Sequence, residues 1–434
     1  MLANVSRGKL YGAPRGTQDI LPQDQPYWTF VKEKAAEVCR RYGYQRIDTP
    51  IFEQTALFSR SVGEGTDIVD KQMYTFDDRG GDSMTLRPEG TAPVCRAYIE
   101  HGMHNLRQPV RLYYIAPIFR YERPQAGRYR QHWQFGAEAI GEAHPALDAE
   151  AIGLAWHFYA SLGLRDLTLQ LNSIGCRSCR STYLEKLKDY YAAHARSLCP
   201  DCKARLSRNP LRLLDCKKPS CQEIVKVAPR ITEHLCQECN RHFRAVKDYL
   251  EHMQIPFELN PYLVRGLDYY TRTVFEVQPR DIGGQSALGG GGRYDDLIEE
   301  LGGKPTPAVG FGTGLERVIL NLRKQGIEPP SPDSARVYVA SVGEQARKEA
   351  MRLATALRQR GMSVTTSSGD ISLKSQLKQA NSLGATHTVI VGEDELRRGV
   401  VVVRAMAEGE QKEVPLDEAA SQLSAEVQVG RGPA

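Results

Sequence analysis

Residues 110–140, VRLYYIAPIFRYERPQAGRYRQHWQFGAEAI, decide the fold. The first part, 110–121, is rich in branched and aromatic side chains and reads as a strand. Residues 132–140, HWQFGAEAI, read as a second strand, and the polar stretch between them makes a long-looped hairpin. Pro117 is awkward in a central strand because it brings no N–H to a ladder. Side chains alternate along a strand, so Gln134, Gly136 and Glu138 share one face and Trp133, Phe135 and Ala137 the other. A face of Gln, Gly and Glu is no core face: it either lines a polar pocket or meets water. The loop and its margins carry Arg120, Glu122, Arg123, Arg128 and Arg130. Arginine matches phosphate oxygens in pairs, so this hairpin suits a triphosphate, a nucleic-acid backbone or both, or else is a solvated basic loop.

Upstream, residues 24–43 read as an amphipathic helix, with Asp24 and Gly43 as caps, followed by a strand over 44–49. The stretch LRPEGT sets Arg87, Glu89 and Thr91 at a turn. Downstream, LVRGLDYYTRTVFE brings Arg265, Asp268, Tyr269 and Tyr270 to the start of a strand over 274–277, offering donors and aromatic walls to a small polar ligand. The run GGGGRYD (289–295) reads as a turn that lets backbone approach a ligand. AVGFGTGLERVIL reads as strand, tight glycine turn and helix, with Arg317 at the helix start. Neither glycine run is a phosphate-loop or dinucleotide fingerprint.

Residues 173–259 interrupt this body with helical spacing, sixteen Lys and Arg against ten Asp and Glu, and eight of the ten cysteines. That charge excess marks a candidate polyanion contact or a solvated surface. Paired cysteines in a chain without a secretory leader point to metal before disulfides. Cys176-x2-Cys179 and Cys199-x2-Cys202 fit a zinc-ribbon spacing and are the expected structural zinc site; Cys216, Cys221, Cys236 and Cys239 make a second possible quartet. Reduced, partly buried thiols are the competing reading. Residues 327–334, IEPPSPDS, are a linker by composition. The remainder alternates short apolar strands with helices, a small α/β domain with a mostly parallel sheet. At 434 residues, 41% hydrophobic and 25% charged, the chain has the length of two or three domains and no membrane span. Its first residues, MLANVSRGKLYGAPRG, lack an apolar core, so the cytoplasm is the expected compartment.

In this order the segments resemble the class II aminoacyl-tRNA synthetases: the first helix and strand are similar to motif 1, FRYERPQAGRYRQ to motif 2 and GFGTGLERVIL to motif 3. LVRGLDYYTRTVFE and ALGGGGRYDDL are similar to the two signatures of histidyl-tRNA synthetases. The resemblance implies an α+β catalytic domain on an antiparallel sheet, in two parts (1–172 and 260–326). It further implies a helical insertion (173–259), the linker, and a C-terminal α/β anticodon-binding domain (335–434). It implies ligation of L-histidine to histidine tRNA through a histidyl-adenylate made from ATP with Mg²⁺, by a homodimer formed through motif 1. By the same resemblance Arg120 and Arg265 are catalytic at the α-phosphate, and Arg317 and Glu122 bind ATP. Glu89, Thr91, Gln134, Glu138, Tyr270 and Tyr294 bind histidine. Gln125, Arg128 and Arg130 meet the tRNA acceptor end. A family paralogue that serves as a regulatory subunit of ATP phosphoribosyltransferase, without catalysis, is the alternative.

Overall fold

The hairpin forms, and it lies inside a larger sheet. The structure, a computed structural model, describes residues 11–63, 66, 68–125, 127–280, 287–330, 336–367 and 369–429. The chain divides into two compact units at 330/331; linker residues 331–334 lie outside the described residues. The first unit runs α1 (Gln25–Arg41), β1 (Gln45–Arg46), β2 (Phe52–Gln54), α2 (Thr55–Val62), β3 (Tyr74–Asp77), β4 (Ser83–Leu86), α3 (Thr91–Glu100), then the hairpin β5 (Val110–Phe119) and β6 (Gln131–Ile140). It continues with α4 (Pro145–Ser161), β7 (Leu167–Ser173), α5 (Arg177–Ala193), α6 (Pro200–Arg208), α7 (Pro219–Val225), α8 (Gln237–His252), β8 (Glu258–Leu259), β9 (Thr271–Pro279), β10 (Gly289–Arg293), α9 (Leu297–Glu300), β11 (Ala308–Gly314) and α10 (Leu315–Lys324).

Eight strands form one sheet in the order β1-β5-β6-β11-β10-β9-β7-β8. The interior pairings are antiparallel, and only the two-residue edge strands pair parallel. Pro117 is tolerated for a visible reason. Its β6 partner is Trp133, whose N–H turns away to the Glu316 carboxylate at 2.9 Å. The outer side of β5 at that point carries no strand, and the Pro117 carbonyl accepts from Arg87 Nε at 2.8 Å. The strand expected over 44–49 shortens to Gln45–Arg46 because Arg87 also takes the carbonyls of Thr49 and Pro50. The glycine runs are the main correction. Residues 289–292 and 310–314 form no turns; they are the central strands β10 and β11.

One sheet face is apolar. Phe135, Ala137, Val309, Phe311, Phe275 and Leu169 pack against residues of α1, α4, α8 and α10, among them Val31, Phe158, Val246 and Val318. Phe135 meets Phe158 and Phe311 edge-on, with ring centroids 4.9 and 5.4 Å apart. The last helix of the cysteine-rich insertion, α8, thus belongs to this core through Phe243, Val246 and Leu250.

A fully buried ion pair joins the layers. Arg293 of β10 donates Nε to Asp148 of α4 at 3.0 Å, and His242 of α8 lies 3.2 Å from the same carboxylate. Burial opposes that charge, but Arg293 and His242 overcome it and hold the Asp148 carboxyl well below its usual range.

The second unit comprises β12 (Arg336–Val342), α11 (Glu344–Gln359), β13 (Ser363–Thr366), α12 (Leu373–Ser382), β14 (His387–Gly392), α13 (Glu393–Arg397), β15 (Val400–Ala405), β16 (Gln411–Pro415) and α14 (Ala419–Val429). Its sheet runs β13-β12-β14-β15-β16. Two of its four pairings are antiparallel, not the mostly parallel sheet expected. The loop between β15 and β16 is too short for a parallel crossover.

Removing one member of a buried pair strands the other. Asp148→Ala should therefore cost about 3–5 kcal/mol of stability in urea unfolding of the full chain. A loss under about 1 kcal/mol would mean that Arg293 relaxes to water.

Candidate active site

The opposite face of the same sheet holds the polar groups. Register sets Gln134, Gly136 and Glu138 of β6 beside Gly314, Gly312 and Gly310 of β11. Those lie beside Gly290 and Gly292 of β10, and Gly290 beside Glu276 of β9. Two adjacent strands therefore present no Cβ upward. A Cβ on Gly310 would sit 1.7 Å from Glu138 Oε2; one on Gly312, 2.3 Å from Gln134 Nε2; one on Gly290, 2.6 Å from Arg265 Nη1. The glycines make room for long side chains lying across the sheet.

At one end of this trough lies a small polar socket walled by Glu89, Thr91, Gln134, Tyr269 and Tyr270. Glu89 sits ahead of α3 and accepts the N–H groups of Thr91 and Ala92 at 2.7 and 2.8 Å, so it both caps the helix and lines the socket. Glu138 and Tyr294 lie immediately behind the wall. Thr91 Oγ1 donates to Glu138 Oε1 at 2.8 Å and the Tyr294 hydroxyl to Oε2 at 2.5 Å. Burial raises the Glu138 carboxyl to about 8 against these donors. Gln134 Oε1 is buried and has no hydrogen-bond donor, an acceptor placed for a ligand.

The other end is basic. Arg120, Arg128, Arg265 and Arg317 reach the same cavity from the β5 end, the hairpin loop, the segment before β9 and α10. Each of the three deeper ones is anchored by part of its guanidinium: Arg120 Nε to the Pro88 carbonyl (2.6 Å), Arg265 Nη1 to Glu276 (2.7 Å), and Arg317 to the carbonyls of Gly127 and Ala287 (3.1 and 2.7 Å). A guanidinium has five N–H donors, so each keeps donors beyond these anchors, and Arg265 Nε is buried without an acceptor. Glu122 lines this end beside Arg128, 3.8 Å away.

Arg128 faces the cavity. Gln125 pairs with it through backbone at the loop tip, and Arg130 stacks on Tyr121, 3.8 Å from the ring centre. Arg87 and Asp268, singled out by their motifs, are clamps: the first holds backbone carbonyls, the second accepts from Asn209 at 2.8 Å.

Among the lining residues that sequence reasoning missed, three carry ionisable groups beside the arginines or the hairpin. His132 is kept neutral, its pKa pressed to about 3 by burial and by Arg120 and Arg317. Glu276 orients Arg265; its two-residue spacing from Gln278 in a strand was the available signal. Glu316 is raised to about 7 by burial and binds the Trp133 N–H, fixing α10 to β6.

The cysteines do assemble into two quartets, with different membership from the expectation. Cys176 and Cys179 meet Cys236 and Cys239; Cys199 and Cys202 meet Cys216 and Cys221. The expected set Cys176, Cys179, Cys199 and Cys202 does not form. Helix α5, 17 residues long and so about 25 Å, carries the chain away between those pairs.

A family model described as histidyl-tRNA synthetase matches residues 16–318, and one described as anticodon binding domain matches residues 336–426. A histidine–tRNA ligase of Dehalococcoides mccartyi is 58% identical, covering 96% of this chain and 100% of its own length. One of Moorella thermoacetica is 53% identical over 94% and 96%. The crystal structure of apo histidyl-tRNA synthetase from S. aureus superposes with a TM-score of 0.81 at 39% identity, covering 96% of this chain and all of its own.

A carboxyl raised from 4.5 to about 8 binds its proton more tightly folded than unfolded. Its contribution to stability is complete at low pH and fades as pH rises through about 8. Thermal unfolding of the ligand-free protein should show that decline above about pH 4.5, and Glu138→Gln should flatten its upper part; an unchanged slope would contradict the assignment.

Proposed function

The chain belongs to the histidyl-tRNA synthetase family, and we propose that the trough described above is where it activates L-histidine. The overall reaction is ligation of L-histidine to its tRNA, driven by ATP. In the first step a histidine carboxylate oxygen attacks the α-phosphorus and pyrophosphate leaves. In the second a hydroxyl of the terminal tRNA ribose attacks the acyl carbon and AMP leaves.

The carrying observation is that Arg120, Arg265 and Arg317, from three distant segments, converge at one end of a cavity whose other end is an acidic and phenolic socket. Negative charge builds on the α-phosphoryl oxygens as the adenylate forms, and donors already fixed there stabilise it without reorganisation. Arg120 and Arg265 take the α-phosphate in this reading, Arg317 the γ-phosphate, and Glu122 the adenine side. Glu89 and the Gln134 carbonyl oxygen receive the α-ammonium group. Glu138 receives an imidazole N–H, a donor that draws this carboxyl, raised to about 8 in the ligand-free protein, toward its ionised form; the carboxylate has about four lone-pair sites, and two are in use. The phenols of Tyr270 and Tyr294 complete the imidazole pocket, with Thr91 holding Glu138 in place. A socket of polar groups leaves them unpaired around an apolar isostere, which gives selectivity without an editing domain.

Mg²⁺ enters with ATP in this proposal. Among the described residues no group of three carboxylates or histidines converges at the basic end, which fits an ion carried by phosphates and water. The 336–426 unit reads the anticodon, and Arg128, with Gln125 and Arg130 at the loop, meets the acceptor end. A homodimer in the cytoplasm is the proposed working form; the exposed pair Phe52 and Phe76 on the small sheet β2-β4-β3 supports a partner surface near motif 1. No helix among the described residues is long and apolar enough to cross a membrane. The regulatory-subunit alternative gives no role to the arginine convergence.

ATP–pyrophosphate exchange with each of the twenty amino acids tests the reading: histidine alone should support it, and folded protein without exchange would overturn it. In the same assay Glu138→Ala should raise the KM for histidine about 10- to 100-fold with little change for ATP. Arg265→Ala should lower kcat about 10²- to 10³-fold with the fold intact. Equal losses for histidine and ATP in the first variant, or retained exchange in the second, would remove those assignments.

A further inference from the structure

The insertion carries eight thiols that adenylation does not use, gathered in two sets. In each, four sulfurs lie within 4.8 Å of one another. The resolved S···S separations are 3.6 Å for Cys176–Cys179, 3.8 Å for Cys179–Cys239 and 3.9 Å for Cys199–Cys216. A disulfide would need about 2.0 Å. Four sulfurs about 2.3 Å from a central zinc, at tetrahedral corners, are about 3.8 Å apart.

Backbone supports the same chemistry. Cys176 N–H points at Cys179 Sγ (3.1 Å), Cys199 N–H at Cys221 Sγ (3.3 Å) and Cys239 N–H at Cys236 Sγ (3.5 Å). Such donors favour the thiolate. Three of the four Cys-x2-Cys or Cys-x4-Cys pairs also open a helix: Cys176, Cys199 and Cys236 are the N-cap residues of α5, α6 and α8, where the helix dipole favours negative charge.

We propose that the chain binds two structural zinc ions, one in the Cys176, Cys179, Cys236, Cys239 set and one in the Cys199, Cys202, Cys216, Cys221 set. The first ion ties the starts of α5 and α8 together at the root of the insertion. That root touches the histidine signature directly: Ile174 N–H bonds the Arg272 carbonyl at 2.7 Å, Arg272 N–H the Gly175 carbonyl at 2.8 Å, and Arg180 of α5 the Tyr270 carbonyl. The second ion ties α6, the 214–218 loop and α7 together. Cys216 and its neighbours Arg212, Lys217 and Lys218 line a cavity shared with Arg120, Arg128 and Arg317. The first ion is therefore a brace for the amino-acid socket, and the second a brace for a basic wall beside the phosphate end. Neither touches a reacting atom.

Metal analysis of full-length protein, grown with zinc and purified with thiols reduced, tests this independently of the synthetase reading. Two zinc ions per chain are expected. Cys176→Ser with Cys236→Ser should leave one, as should Cys202→Ser with Cys216→Ser; Cys176→Ser with Cys199→Ser should leave none. Because a double variant can fail to fold, the unaltered protein is also exchanged with Co²⁺. It should then show thiolate-to-cobalt charge-transfer bands and the intense visible bands of tetrahedral sites, at two equivalents. Metal no higher than background, disulfides in freshly prepared protein, or loss of both ions on pairing Cys176→Ser with Cys236→Ser in folded protein would each overturn the proposal.

Discussion

The two middle strands of the large sheet carry no Cβ on one face, and Glu138, Gln134 and Arg265 lie in the space this leaves. Glycine in a strand costs about 0.5–1 kcal/mol relative to alanine. The cost is borne at β10 and β11 because the reverse face is packed into the core, with Val309 and Phe311 of β11, Phe275 of β9 and the buried Arg293–Asp148 pair. The two faces lock one another. A one-residue slip of β6 would exchange them, driving Gln134 and Glu138 into the hydrocarbon layer and Phe135 into the trough. Register is thus fixed by burial on one side and by the reach of polar groups on the other.

The trough is also electrically graded. Its socket end offers the Glu89 carboxyl, an amide and phenols, its basic end four guanidiniums with Glu122 beside them, and a neutral imidazole, His132, lies near the latter. In the proposed reading, a zwitterionic amino acid laid along this gradient sets its ammonium at the acidic end and its carboxylate toward the arginines, so that the field of the site orients it as well as individual contacts.

What was legible in the sequence was local. Period-two alternation in 132–140 placed Gln134 and Glu138 on one face and Phe135 on the other, and both placements hold. Composition marked a change of pattern near 330, where the two compact units divide. What failed depended on distant chain. The glycine runs were read as turns because the local rule for glycine is conformational freedom. Their actual cause is steric, imposed by Glu138 and Gln134 on the neighbouring strand and by Arg265 from the segment before β9. Cysteine spacing gave the pairs but not which pairs meet, since that depends on the length and direction of α5 and α8. Arg87 and Glu276 show the same limit from both sides. A motif arginine turned out to hold backbone, and an unremarked acid turned out to orient Arg265. The roles assigned within the site came from resemblance, and no local pattern would have supplied them.

Strand order has a consequence for how the molecule is made. The β6 edge that pairs with β11 must wait for a partner about 170 residues downstream, which at ribosomal rates is roughly ten to thirty seconds of synthesis. During that interval the hairpin presents a row of unpaired amides and carbonyls beside exposed aromatic residues, the configuration most prone to pairing with another chain. The sheet closes only when its centre arrives, so the trough comes into being near the end of translation of the first unit, as a single late event.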